Sequence, residues 1–152
     1  MKKILIVGAT SAIADQCARI WLQQTPCQLA LVGRDQEKLN RQAQDLRIRS
    51  PQSLISTLVI DFSNASAIDH CLNQLYAGSP FDTALVAHGM LPDQQRGQAD
   101  LQYCKSSLEI NAISPVLFSE AIVTRMQSSG QGTIGVIGSV AGDRGRQSNY
   151  IY

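Results

Sequence analysis

No stretch of this sequence stays apolar for the roughly 18 residues that a membrane-spanning helix needs. The apolar start, Met1-Lys2-Lys3-Ile4-Leu5-Ile6-Val7-Gly8, is too short for a secretory signal, because Gly8 and polar residues cut it off. An excess of one charge is also missing. The 13 basic residues stand against 12 acidic ones, which argues against the basic face of a nucleic-acid binder. Cysteine has no C-x-x-C spacing: Cys17, Cys27, Cys71 and Cys104 are scattered, three of them inside apolar patterns. That reads as reduced thiols in a cytoplasmic protein. His70 and His88 lack a ligand-like spacing, so no metal site is expected. Internal repeats, low-complexity tracts and linkers are absent too.

What is present is a 152-residue chain, 44% apolar, about the size of one domain with a real core. Short apolar runs alternate with helical patterns. "KKILIVG", "QLALVG", "LISTLVI", "FDTALVA" and "GTIGVIG" read as strands, and the first, a continuous run closed by glycine, reads as buried on both faces. Between the first two, Ile13, Ala14, Cys17, Ala18 and Trp21 fall at helical spacing until Pro26. Asp35 caps a second helix through Leu39, Ala43 and Leu46, ending at Ser50-Pro51. A third starts at Asn64 or Ser63 and carries Ile68, Leu72 and Leu75. A polar loop is expected from His88 to about Asp100. A long helix then runs from about Leu101 to Ser128, with Leu108, Ala112, Phe118, Ile122 and Met126 on its apolar side. Five strands and four helices in alternation predict a doubly wound, Rossmann-like parallel sheet of order 3-2-1-4-5. Ligands of such sheets bind beyond the carboxyl ends of the strands.

The first such end is "GATSAIA", Gly8 to Ala14. The G-x-G-x-x-G fingerprint is absent; one glycine is followed by small residues that lead into a helix. A turn so poor in side chains lets backbone approach a pyrophosphate, and the helix N-terminus offers free N–H groups. Plain strand-to-helix packing explains the same residues equally well.

Taken with the rest of the chain, "VGATSAIA" resembles the T-G-x-x-x-G-x-G turn of the short-chain dehydrogenase/reductase family, with Ala12 and Ala14 in place of glycines. "DFSN" (Asp61, Phe62) resembles the pair that holds the adenine. "VAHG" resembles the N-N-A-G segment and keeps its final glycine. "EINAISP" supplies Asn111, "IGSVAG" supplies Ser139, and Tyr152 lies 13 residues beyond Ser139, where the tyrosine of Tyr-x-x-x-Lys belongs. The resemblance spans the whole chain. It implies cofactor contacts at Gly8, Thr10, Ser11, Ala12, Ile13, Asp61, Phe62, Ala87, His88 and Gly89, and catalytic roles for Asn111, Ser139 and Tyr152. It further implies a homodimer or tetramer paired through the long helix. The matching lysine would follow Tyr152, so the chain reads as one domain truncated at the catalytic tyrosine, lacking the C-terminal helices and strands and incompetent alone.

The implied reaction moves hydride between a nicotinamide and a ketone or secondary alcohol. A free tyrosine titrates near 10, so it needs a neighbouring cation to serve as acid and base at neutral pH. Ser139 would hold the carbonyl oxygen. Asn111 has a further physical warrant: Pro115 has no N–H, so the Asn111 carbonyl loses its helical donor and the helix bends. In the family a water on that carbonyl completes a proton relay. For the cofactor, strand two ends "LVGRD". Arg34 suits a 2′-phosphate, whereas Asp35 is better employed as a helix cap. Ser11 is not basic, so no second cation is expected. NADP(H) is therefore favoured over NAD(H).

"SVAGDRGRQSNYIY" is similar to reductases of the decaprenylphosphoryl-2-keto-ribose type. Arg144 and Arg146 either recognise an anionic group there or are solvated loop charges. The competing reading of the chain is a non-catalytic NADP(H)-binding or redox-sensing protein on the same fold.

Overall fold

A computed structural model describes residues 1–152. Five parallel strands form one sheet: β1 (Lys2–Val7), β2 (Cys27–Gly33), β3 (Leu54–Val59), β4 (Thr83–Val86) and β5 (Thr133–Val136), in the order β3-β2-β1-β4-β5. The register sets Lys2 opposite Cys27 and Ile4 opposite Thr83, so β1 is central and its carboxyl end is flanked by those of β2 and β4.

Side chains alternate along the strands and split the core in two. Ile4, Ile6, Leu29 and Leu31 face α1 (Ala12–Gln24) and α2 (Gln36–Arg49), meeting Ala14, Ala18, Leu39, Ala43 and Leu46. Leu5, Val7, Ala30 and Val32 face α3 (Ala65–Tyr76) and α6 (Ser114–Ser129), meeting Ile68, Leu72, Phe118 and Ile122. Covering both faces of β1 and β2 explains why those strands read as unbroken apolar runs. Burial also disposes of two thiols: Cys27 and Cys71 sit in this core, and desolvation pushes Cys71 up to about 11.

Helix starts follow the capping rules. Ser11, Asp35 and Asn64 accept from the amides of Ala14, Lys38 and Ala67 at 3.2, 3.0 and 3.0 Å. Two expectations are corrected after β4. The loop from His88 to Asp100 contains a six-residue helix, α4 (Gln94–Ala99), capped by Asp93 and too short to show an apolar period. The long helix is also interrupted. α5 (Leu101–Leu108) passes through a π-helical turn, Glu109–Ile113, into α6. The missing N–H of Pro115 prevents an ordinary ring at Asn111, and the backbone widens, with the Ser114 amide donating to the Glu109 carbonyl.

Leu108 and Ala112 do not join the apolar face; both are exposed, and Ser107 and Ser114 are buried instead. Six residues from Ala112 to Phe118 are not a whole number of turns, so the two cannot share a side. Leu101, Leu108, Ile113 and Val116 leave an exposed apolar strip on α5 and α6. No helix is long and apolar enough to cross a membrane.

Candidate cofactor cleft and active site

The site begins at the end of β1. Gly8 has φ +77°, and a Cβ placed on it would meet the His88 amide nitrogen at 2.5 Å and Cβ at 2.6 Å. Only glycine tolerates both the conformation and the approach. Its amide and that of Ala9 both donate to Val32 O, at 2.9 and 3.1 Å, tying the turn to β2. No residue of the turn beyond Gly8 has positive φ, so alanine at positions 12 and 14 costs no backbone strain. The amides of Ala12 and Ile13, in the first turn of α1, have no acceptor within the helix. Gln42 of α2 steadies the turn from behind, donating through Nε2 to Ala9 O at 2.7 Å and Asp15 Oδ1 at 3.1 Å.

A cleft of about 470 Å³ opens here, lined by Gly8, Thr10, Ser11, Gly33, Arg34, Asp35, Lys38, Phe62, His88 and Gly89. Of the expected cofactor residues, Ala12, Ile13, Asp61 and Ala87 are outside its lining. Ala12 and Ile13 are exposed beside it, Ala87 is buried in the core, and Asp61 is turned to other work. The Asp61 carboxylate accepts from the Ser63 amide at 2.9 Å and the Ser63 hydroxyl at 2.7 Å. These bonds, with a smaller contribution from the Arg34 charge, hold it below the usual carboxylate range. Phe62 forms the floor: its ring centroid lies 4.5 Å from His88, and the Arg34 guanidinium stands 5.8 Å above it. A larger cleft, about 520 Å³, lies at the opposite end of the strands between Lys3, Gln28, Ser53 and Phe81. It has no glycine turn and sits at the amino ends, where wound sheets do not bind ligands.

The three expected catalytic residues are differently held. Asn111, within the π-helical turn, makes a reciprocal pair with the loop after β4: its Oδ1 accepts from the Met90 amide and its Nδ2 donates to Met90 O, both at 2.8 Å. Ser139 follows the carboxyl end of β5, and its Oγ accepts from the Ala141 amide at 3.1 Å, capping a short 3₁₀ turn. Tyr152 is 43% exposed, while its neighbour Ile151 is buried. No hydrogen bond joins Asn111, Ser139 and Tyr152 to one another. They share instead the carboxyl-end side of β4 and β5, with Asn111 joined to the rim of the cleft through the loop at Gly89 and Met90.

The sequence profile of the short chain dehydrogenase family matches residues 2–152. The chain belongs to that family. An uncharacterized oxidoreductase of Mycobacterium tuberculosis is 28% identical over 150 residues, which are 98% of this chain and 59% of the relative. Two solved structures superpose with a TM-score of 0.87 over the whole chain. One is a short-chain dehydrogenase from Sphingobium yanoikuyae in complex with NADPH (24% identity, 59% of that chain covered). The other is a bulky-bulky ketone specific alcohol dehydrogenase from Comamonas testosteroni (23% identity, 60% covered). The chain thus spans about 60% of the length of these relatives.

Two features of this short-chain dehydrogenase cleft were not anticipated from sequence. Lys38, in the first turn of α2, lines the cleft with Arg34, so a second cation stands there although Ser11 is not basic. It stands three positions after the cap Asp35, so a capped first turn should have flagged it. Gln42 reaches across from α2 by tertiary packing alone, which no local signal reveals.

His88 is the unusual group of the cleft. Its ring is enclosed by Phe62 and Phe118, at 4.5 and 5.4 Å between centroids. Nε2 shares a hydrogen bond with the buried Ser114 hydroxyl at 2.9 Å, and Nδ1 is buried without a partner. Desolvation, with the nearby Arg34 charge, pushes its pKa down to about 4. The folded form therefore keeps His88 neutral where the unfolded chain protonates it. Stability from this residue is fully present above about pH 6.5 and is lost as pH falls toward 4, by up to about 3 kcal/mol. Denaturant unfolding at pH 7 and pH 4.5 should show a smaller drop for His88→Ala than for the unaltered chain; equal drops would contradict the assignment.

Proposed function

We propose that these residues form the cofactor-binding part of an NADP(H)-dependent oxidoreductase that moves hydride between a nicotinamide and a ketone or secondary alcohol. One observation carries the reading. Arg34 and Lys38 stand in the cleft at the end of β2, beside the close-packed Gly8 turn. The donor set fits the cofactor. Gly8 lets the turn pack against the His88 loop with no side chain between them, the amides of Ala12 and Ile13 face no internal acceptor, and two cations suit a 2′-phosphate. The acids nearby are occupied, Asp35 by the Lys38 amide and Asp61 by Ser63. Two structural relatives, one in complex with NADPH and one specific for bulky-bulky ketones, agree with this reading.

When bound, the nicotinamide supplies or accepts the hydride. The chain's own residues would manage the substrate oxygen. Because Ser139 Oγ already accepts from an amide, its O–H is left to donate to that oxygen. Tyr152 would pass the proton, and Asn111, braced on Met90, would hold the loop beside the cleft. The 152 residues contain no lysine of a Tyr-x-x-x-Lys motif, and alone they are expected to bind cofactor without turnover. The decaprenylphosphoryl-2-keto-ribose type of substrate belongs to the same proposal through Arg144 and Arg146, which make no ion pair within the chain. The free cysteines fit a reducing, cytoplasmic setting.

Arg34→Ala should weaken NADPH binding about tenfold or more, the loss of a charge-assisted hydrogen bond of about 1.5–3 kcal/mol. NADH affinity should change far less. Calorimetric titration of both cofactors checks this, and equal losses would remove the NADP(H) assignment. We also propose that a second copy covers the Leu101–Val116 strip. Leu108→Glu with Val116→Glu should then lower the mass found by sedimentation to that of one chain, whereas a monomer before substitution would exclude pairing.

A further inference from the structure

Helix α4 is held more firmly than six residues need. Asp93 caps it at the Arg96 amide, the Asp93 amide donates to the Tyr103 hydroxyl at 2.9 Å, and the Arg96 guanidinium lies 4.3 Å over the Tyr103 ring. Its one buried residue is Gly97. A Cβ there would collide with Cδ1 of Ile151, and it would lie 3.9 Å from the Tyr103 ring. Ile151 is 6% exposed between Tyr150 at 60% and Tyr152 at 43%. The Ile151 amide donates to Gln94 Oε1 at 3.4 Å, and Gln94 Nε2 is buried without a partner. One apolar plug and one side-chain amide therefore fix the backbone immediately before Tyr152.

We propose that Gly97 and Gln94 are positioning residues for Tyr152: the bare backbone of α4 makes a notch, and Ile151 seated in it aims the tyrosine. The proposal rests on the reading of Tyr152 as the proton carrier. Its physical logic is that a proton donor misplaced by an ångström loses most of its value, and the Ile151 seat fixes the backbone beside Tyr152.

The test moves one methyl group across the contact. Gly97→Ala improves helix propensity, so α4 should survive while the notch is filled. In that variant trypsin cleavage after Arg146 should quicken at least about tenfold, and the Ile151 δ1-methyl signal should move to that of an exposed isoleucine. The ring signals of Tyr152 should lose their response to NADPH, although NADPH affinity stays within about twofold. Adding Ile151→Val removes the methyl that the new Cβ displaces, and should restore both protection and response. Unchanged cleavage and unchanged Tyr152 signals in Gly97→Ala would overturn the proposal. In the unaltered chain, a protected segment 147–152 whose Tyr152 ring ignores NADPH would remove the role given to Tyr152 and leave the Gly97 notch standing.

Discussion

The approach of Gly8 to His88 is the contact on which the site depends. Two neighbouring strands, β1 and β4, send their following loops so close together that a single methyl group would not fit between them. The turn after β1 is thereby pressed against the loop after β4, and the space between that turn and the end of β2 becomes the cleft. From the same point His88 reaches back between two phenylalanines to Ser114 at the head of α6. Asn111, four residues before proline, returns to the loop through Met90. Glycine turn, ring stack and π-helical turn are thus parts of one packed unit rather than three separate motifs. A disturbance at Gly8 reaches all of them.

Electrostatics in the cleft follows from who is already occupied. Asp35 and Asp61 both lie near Arg34 in sequence or space, and both are engaged by amides or hydroxyls of their own turns. Lys38 keeps a loose 3.7 Å contact with Asp35, exposed to water and worth little. The cations remain available to an incoming anion, whereas the carboxylates spend their acceptor capacity on helix and turn formation. A neutral His88 adds no charge of its own. Under the proposed function, a phosphate would lie at the β2 side of the cleft and a flat ring near Phe62.

The strands, the helix caps at Asp35 and Asn64 and the glycine turn at Gly8 were readable because each is local: an apolar run, a capping residue, a turn; the strand order followed from their alternation with helices. The features that were not readable arise where distant elements meet. Lys38 enters the cleft only because α2 starts at its rim. Gln42 and Ala9 are 33 residues apart. Gly97 looks like a loop glycine until Ile151 is seated on it. The π-helical turn was half legible. Pro115 announced a broken bond, but how the backbone would absorb it depended on Asn111 being held by Met90 and Ser114 by His88. Ala112 misled because it lies off the helical period, and Leu108, which an unbroken helix would align with Met126, is turned outward by the intervening π-helical turn.

The central claim is that a dinucleotide lies between the Gly8 turn, Arg34 and His88. Titrating the isotope-labelled chain with NADPH and following its backbone amide signals tests this most directly. The expected result is saturable shifts at Gly8, Ala12, Ile13, Arg34, Lys38 and Gly89, with the far cleft silent. Shifts confined to Lys3, Gln28, Ser53 and Phe81, or none at saturating cofactor, would contradict it.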